Sequence, residues 1–151
     1  MLQVGDPAPD FELLDQHGEP VSLSALLTKG PVVLFFYPAA LSPGCTREAC
    51  HFRDIVAEFA ARGATILGLS ADDVAKQKKF DDTHRLGYPL LADTDSGVAR
   101  SFGLKRRLPG LPAKRATFVI GTDQRILAAV HSELNMNIHA DQALEALPTP
   151  A

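Results

Sequence analysis

The chain has 151 residues, 46% of them hydrophobic and 22% charged, with 11 Gly and 11 Pro. That is the composition of one globular domain over 1–151, with too little chain for two comfortable cores. Fifteen Lys and Arg against 18 Asp and Glu leave a formal charge of -3, which excludes a broad basic field for nucleic acid or anionic lipid.

No run approaches the ~20 apolar residues of a membrane span. The opening Met1-Leu2-Gln3-Val4-Gly5-Asp6 lacks the charged and apolar regions of a secretory signal, so the cytoplasm, a reducing compartment, is the expected location. There the two cysteines are expected to be catalytic, redox-active or metal-binding rather than a permanent staple.

In chain order, Phe11 to Leu14 and Val21 to Leu23 flank the turn Asp15-Gln16-His17-Gly18 and predict an N-terminal hairpin, followed by a short helix over Ser24 to Leu27. Val32 to Tyr37 is unbroken apolar, the pattern of a strand buried on both faces. From Pro43 to about Arg62 the residues Phe52, Ile55, Val56 and Phe59 recur at helical spacing, with Gly63 as the stop. Ala64 to Leu69 reads as a second buried strand. Ser70 to Leu86 reads as a helix capped by Ser70 or Asp72, Pro89 to Ala92 as a short strand, and Ser96 to Phe102 as a short helix ended by Gly103.

Lys105 to Lys114, with Pro109, Gly110 and Pro112, reads as a loop. Ala116 to Ile120 and Arg125 to His131 predict strands around Gly121-Thr122-Asp123-Gln124, and Ala140 to Leu147 a last helix before the Pro-rich tail Pro148-Thr149-Pro150-Ala151. This alternation predicts an α/β, thioredoxin-like fold, with a central mixed sheet flanked by helices and an N-terminal hairpin extension.

The informative segment runs from Tyr37 to Cys50, between the central strand and the long helix, where ligands and reactive groups of α/β proteins gather. With Ser42 as N-cap, Pro43 falls at the favoured N1 position and Cys45 at N3. Unpaired amides and the helix dipole stabilise an anion there and lower a thiol pKa from about 8.5, so Cys45 is expected to be a nucleophilic thiolate. An N-cap hydroxyl bonding the amide of N2 or N3 would bring Ser42 beside it. Gly44 would let a substrate approach the backbone. Cys50 lies about 140° around the helix and its Cα on the order of 8.7 Å away. A disulfide needs less than about 7 Å, so Cys45 and Cys50 cannot bond while the helix is intact. A pairing would require the first turns to unwind, which fits a cycle in which Cys45 is oxidised in a folded site and Cys50 reacts in a locally unfolded one.

Pro38, Ser42 and Cys45 fit the P-x-x-x-T/S-x-x-C motif of peroxiredoxins, and the stretch around S-P-G-C-T-x-x-A-C resembles the bacterioferritin-comigratory-protein or peroxiredoxin Q subfamily. The resemblance extends to Gly5 to Phe11, Leu67 to Ser70, Pro89 to Asp93 and Arg115 to Ile120. It implies thiol-dependent reduction of hydrogen peroxide and organic hydroperoxides. Cys45 matches the peroxidatic cysteine, Cys50 the resolving cysteine of an intramolecular disulfide, and Arg115 the arginine that supports the thiolate. Pro38, Gly44 and the Cys45 amide would border the peroxide. The resemblance also implies no metal or organic cofactor, electrons from thioredoxin or a glutaredoxin-type donor, and a monomer, with homodimers among relatives. Ser42 stands where threonine is commoner, and Ala39-Ala40-Leu41 is more apolar than usual.

Other readings stay open beside it. A thiol-disulfide oxidoreductase on the same fold would lack the usual C-x-x-C, and a redox sensor would use the same local unfolding to signal. Metal binding by Cys45, Cys50 and His51 lacks a matching ligand spacing. His17, His51, His84, His131 and His139 are scattered and read as surface or capping residues. Taken alone, Arg115 is one more cation beside Lys105, Arg106, Arg107 and Lys114, a cluster that could rim the substrate opening or dock an acidic partner. Glu48 could balance Arg115 or Arg47, or face water.

Overall fold

The apolar run after Pro31 leaves no polar side chain to point at solvent. In the computed structural model of the chain, which describes residues 1–104, 113–133 and 135–148, it becomes a fully buried central strand, β3 (Val32–Phe36), after the hairpin β1 (Glu12–Leu14) and β2 (Pro20–Ser22) and the short helix α1 (Leu23–Leu27). Helices α2 (Pro43–Asp54) and α3 (Val56–Ala61) lead to β4 (Thr65–Ser70), α4 (Val74–His84), β5 (Leu90–Ala92) and α5 (Gly97–Ser101). The chain then adds β6 (Ala116–Ile120), β7 (Ile126–His131) and α6 (Asn137–Ala146). The five-stranded sheet has the order β5-β4-β3-β6-β7, with β4 parallel to β3 and β6 antiparallel to it. This is the mixed α/β architecture expected from the sequence, hairpin included.

Side chains alternate across a strand, so β3 feeds two cores. Val32, Leu34 and Phe36 pack with Phe11, Leu23, Val98 and Phe102. Val33, Phe35 and Tyr37 pack with Cys45, Ala49, Phe52, Phe59, Phe80 and Ala140. The second core holds Cys45, and Phe35 stacks on Phe52 of α2 with ring centroids 4.4 Å apart.

The predicted helix from Pro43 to Arg62 is broken at Ile55, whose φ of -115° and ψ of 20° leave the helical region. Across the break Glu58 N–H bonds the Ile55 carbonyl at 3.0 Å, one residue short of an α-helical bond. The kink keeps Phe52 and Phe59 together in the core while Val56, expected on the buried face, is exposed. Gly63 does stop α3, with φ of 71°. The cap of α4 is neither Ser70 nor Asp72 but Asp73, which accepts the Lys76 amide at 2.8 Å. Ser70 and Asp72 are engaged with the loop after β3 instead.

The last helix begins at Asn137 rather than Ala140, its first turn supported by the Asn135 side chain, which accepts the Ile138 amide at 3.3 Å. Most of the predicted loop Lys105 to Lys114, at 105–112, and the tail at 149–151 lie outside the described residues. Among the described residues no helix is long and apolar enough to cross a membrane.

Candidate active site

Antiparallel pairing sets Phe36 opposite Ala116. Arg115, one residue ahead of β6, is thereby delivered to the end of β3 where the chain turns into α2. That turn is held on several sides. The Ala40 amide donates to Asp72 Oδ2 at 2.7 Å, and Ser70 Oγ donates to the same oxygen at 2.7 Å. Tyr37 donates its hydroxyl to Gln77, and the buried Gln77 amide donates in turn to Ser70 Oγ and the Leu91 carbonyl, each at 2.9 Å. Burial keeps the Tyr37 phenol far above its ordinary pKa, so it remains a neutral donor. Leu41 takes a left-handed conformation, φ 69°, which costs a non-glycine residue about 1–2 kcal/mol and swings the chain into the helix.

Pro43 and Cys45 occupy N1 and N3 of α2 as the sequence suggests, and Cys45 is completely buried. Ser42 is the N-cap residue by backbone, but its hydroxyl makes no capping bond. It donates backward to the Ala39 carbonyl at 2.9 Å, which corrects the expectation that it would bond the amide of N2 or N3. The φ and ψ of Ser42 are extended, and the short reach to Ala39 closes the turn that Leu41 opens. The first-turn amides are therefore free of a side-chain cap and can serve an anionic ligand.

Arg115 crosses to the sulfur from the sheet. Its Nη2 donates to Cys45 Sγ at 3.2 Å and its Nη1 lies 3.3 Å from Glu48 Oε2. Both Arg115 and Glu48 are buried. Burial works against the Arg115 charge, but Glu48 and Cys45 more than reverse it, and its pKa sits above the ordinary value. A charged fork is a strong donor to anions, so this contact suits a thiolate better than a thiol. A Cβ on Gly44 would lie 3.4 Å from Arg115 Nη2 and 3.5 Å from Met136 Sδ; glycine leaves space beside the guanidinium–sulfur contact. Pro38 is half-buried in the turn.

Cys50 is half-buried and, like Cys45, a free thiol. Both sit on the unbroken α2, so the helical separation that forbids a disulfide is present.

Sequence reasoning left Glu48 undecided and set His139 among surface or capping residues. Both are completely buried. His139, in the first turn of α6, bonds Thr117 Oγ1 through Nδ1 at 2.9 Å and the Ser132 carbonyl through Nε2 at 2.8 Å, and its Nε2 lies 3.6 Å from Glu48 Oε2. One signal pointed to Glu48: it follows Cys45 by three residues, on the same helix face. Nothing local marks His139, because its partners come from β6 and the segment before α6. Among the described residues no group of three or more His, Cys, Asp or Glu is arranged to hold a metal ion.

Comparison with known proteins places this geometry. The AhpC/TSA family matches residues 4–129. The chain is similar to peroxidoxin BcpB from Mycobacterium tuberculosis, whose crystal structure superposes with a TM-score of 0.93 at 54% identity, over 97% of this chain and 96% of that one. It is 40% identical over 143 residues to a chloroplastic peroxiredoxin Q of Arabidopsis thaliana, covering 95% of this chain and 66% of that protein. It is also similar to a Xanthomonas campestris bacterioferritin comigratory protein solved in a study of alkyl peroxide reduction, with a TM-score of 0.82 and 29% identity over 90% of this chain and 88% of that one.

Proposed function

Because the chain belongs to the AhpC/TSA family and is similar to its peroxiredoxin Q and bacterioferritin-comigratory members, we propose that it reduces hydroperoxides with Cys45 as the nucleophile. The observation that carries this assignment is the Arg115 fork, 3.2 Å from a sulfur in the first turn of a helix. The Cys45 thiolate attacks one oxygen of the peroxide. A sulfur–oxygen bond forms, the O–O bond breaks, and the electron pair leaves on the other oxygen, which takes a proton to become water or an alcohol. Arg115 stabilises the negative charge as it moves from sulfur to the leaving oxygen. The amides at the start of α2, Pro38 and Gly44 border the peroxide, and the Ser42 hydroxyl, held by Ala39, steadies the turn.

Cys45, now a sulfenic acid, is resolved by the Cys50 thiol: a disulfide forms and water leaves. With the two cysteines five positions apart, the cycle closes within one chain, as a monomer requires. A dithiol donor of the thioredoxin kind, or a glutaredoxin-type one, then takes the disulfide and returns two thiols, in the reducing cytoplasm. The test is to mix fully reduced protein with one equivalent of hydrogen peroxide, following the rate, intact mass and free thiols on one sample. Consumption far faster than a free thiol, ending in a Cys45–Cys50 disulfide with no added oxygen, is the expected result. Free-thiol rates together with strong insulin-disulfide reduction would transfer the assignment to disulfide exchange.

A further inference from the structure

The leaving oxygen needs a proton, and neither Cys45 as thiolate nor Arg115 has one to spare. Behind them lies an unusual grouping: two acids, Cys45 and Glu48, on a single buried cation. Neither carboxyl oxygen of Glu48 has a hydrogen-bond partner, although the residue is fully buried. Among the described residues facing it, none supplies a second fixed positive charge. His139, from α6, points Nε2 at the Ser132 carbonyl, which can only accept, so Nε2 carries a proton; the Thr117 hydroxyl can donate to Nδ1 or accept from it. Burial lowers the His139 pKa and so favours the neutral imidazole, with Nδ1 accepting from Thr117. Glu133, from the segment before α6, accepts the Arg115 amide at 3.2 Å and lies 3.3 Å from His131. Tyr88, ahead of β5, is a buried phenol raised well above its ordinary pKa and stays neutral.

A buried cluster with one fixed positive charge is neutral when one of its two acids is ionised, and a second buried anion is costly. We propose that Glu48 is the proton store of the peroxide reaction: it carries a proton while Cys45 is a thiolate, and gives that proton up as the thiolate is consumed. The proposal rests on Cys45 being the peroxide-reducing nucleophile. Cys45 thiolate, hydroperoxide and protonated Glu48 go to Cys45 sulfenic acid, the alcohol or water, and Glu48 carboxylate. Atoms and charge balance: Glu48 loses one proton and the leaving oxygen gains one, both exchanged with water at the site, so no net proton is drawn from bulk solvent. Glu48 does not touch the peroxide and acts through Arg115, which exchanges one anionic partner for the other. Burial pushes its carboxyl up to about 8 even with Arg115 opposing, which leaves it protonated at neutral pH. Reduction of the disulfide returns the proton to Glu48 when Cys45 regains its charge.

The experiment stops the cycle at the sulfenic acid with Cys50→Ser, then counts protons with an indicator dye in weak buffer at neutral pH during one peroxide equivalent. Infrared difference spectra are recorded on the same reaction. The expected result is little proton uptake, together with loss of a protonated-carboxyl stretch. Adding Glu48→Gln should raise uptake to one proton for each Cys45 oxidised and abolish the infrared loss, which a merely structural role for Glu48 would not do. One proton taken up with Glu48 in place, or no carboxyl band lost on oxidation, overturns the proposal. The infrared arm needs no change at Glu48, so it decides even where Glu48→Gln fails to fold. Absence of the added oxygen in the intact mass would instead count against Cys45 as the peroxide nucleophile.

Discussion

Arg115 and Cys45 are 70 positions apart, and the contact between them should dominate the chemistry of the site. A hydrogen bond to a charged group contributes about 1.5–3 kcal/mol, so Arg115→Met should slow the single-turnover reaction with hydrogen peroxide by roughly 10- to 100-fold. Arg115→Lys keeps the charge without the two-pronged geometry that serves Cys45 and Glu48 together, and should recover part of the loss. Stopped-flow rates on the reduced proteins, with circular dichroism to establish folding, decide it; an Arg115→Met protein as fast as the parent would remove Arg115 from the mechanism. Ser42 makes a gentler case. Its hydroxyl donates to Ala39 rather than capping the helix, and threonine retains that donor while restricting its rotamer. Ser42→Thr should therefore keep its peroxide rate, and a large drop would show that the turn has no room for the extra methyl.

At the scale of the helix, the proposed cycle asks α2 to hold Cys45 in place and yet unwind for Cys50, and the fastenings of α2 are visible. Tyr88 donates its hydroxyl to the Ala49 carbonyl at 2.6 Å, Arg53 Nη1 donates to the His84 carbonyl at 2.7 Å, and His51 meets Asp141 at 2.8 Å. The Tyr88 bond is buried and adjoins Cys50 in sequence, so it should govern the opening most directly. Tyr88→Phe deletes it with little change of shape. We expect a stability loss of about 1 kcal/mol in urea unfolding and faster Cys45–Cys50 disulfide formation after a peroxide pulse. A slower disulfide step would mean that this bond does not restrain the opening. These fastenings were beyond sequence reading, since each joins residues 31 or more positions apart. The elements themselves were legible, because β3 is apolar throughout and α2 begins at Pro43 with Cys45 in its first turn. Their ends were less so. Periodicity carried the helix past Ile55, where packing of Phe52 and Phe59 prevailed, and Ser70 and Asp72 bind the loop at Ala40 rather than capping α4.

On the scale of the whole molecule, layering α2 and α6 on one face of the sheet seals Glu48 and His139 into a shared interior, and folding stability should depend on pH as a result. His139 has its pKa lowered by burial, so the unfolded chain binds more protons than the folded one below the ordinary histidine value of 6.5. Its contribution is fully present above 6.5 and is lost as pH falls. Glu48 works the other way. Burial raises its pKa from 4.5 to about 8, so between those values the folded chain binds the extra proton and stability falls as pH rises. In the proposed resting state the Cys45 thiolate works against Glu48, because the unfolded chain carries a proton on that thiol up to about 8.5 while the folded chain carries it on Glu48. The two states then bind equal numbers of protons once the unfolded histidine is neutral, and the stability of the reduced protein should be nearly level between about pH 7 and 8. Each fully linked proton changes stability by about 1.4 kcal/mol per pH unit, an upper bound on any slope in that window. Glu48→Gln removes the folded-state proton and leaves the thiol of the unfolded chain unopposed, so urea unfolding of that variant should show stability rising with pH across the same window. A parent protein whose stability rises as steeply as that of Glu48→Gln would mean that Glu48 is already ionised at neutral pH, with Arg115 shared between two anions, and the proton store would have to be sought elsewhere.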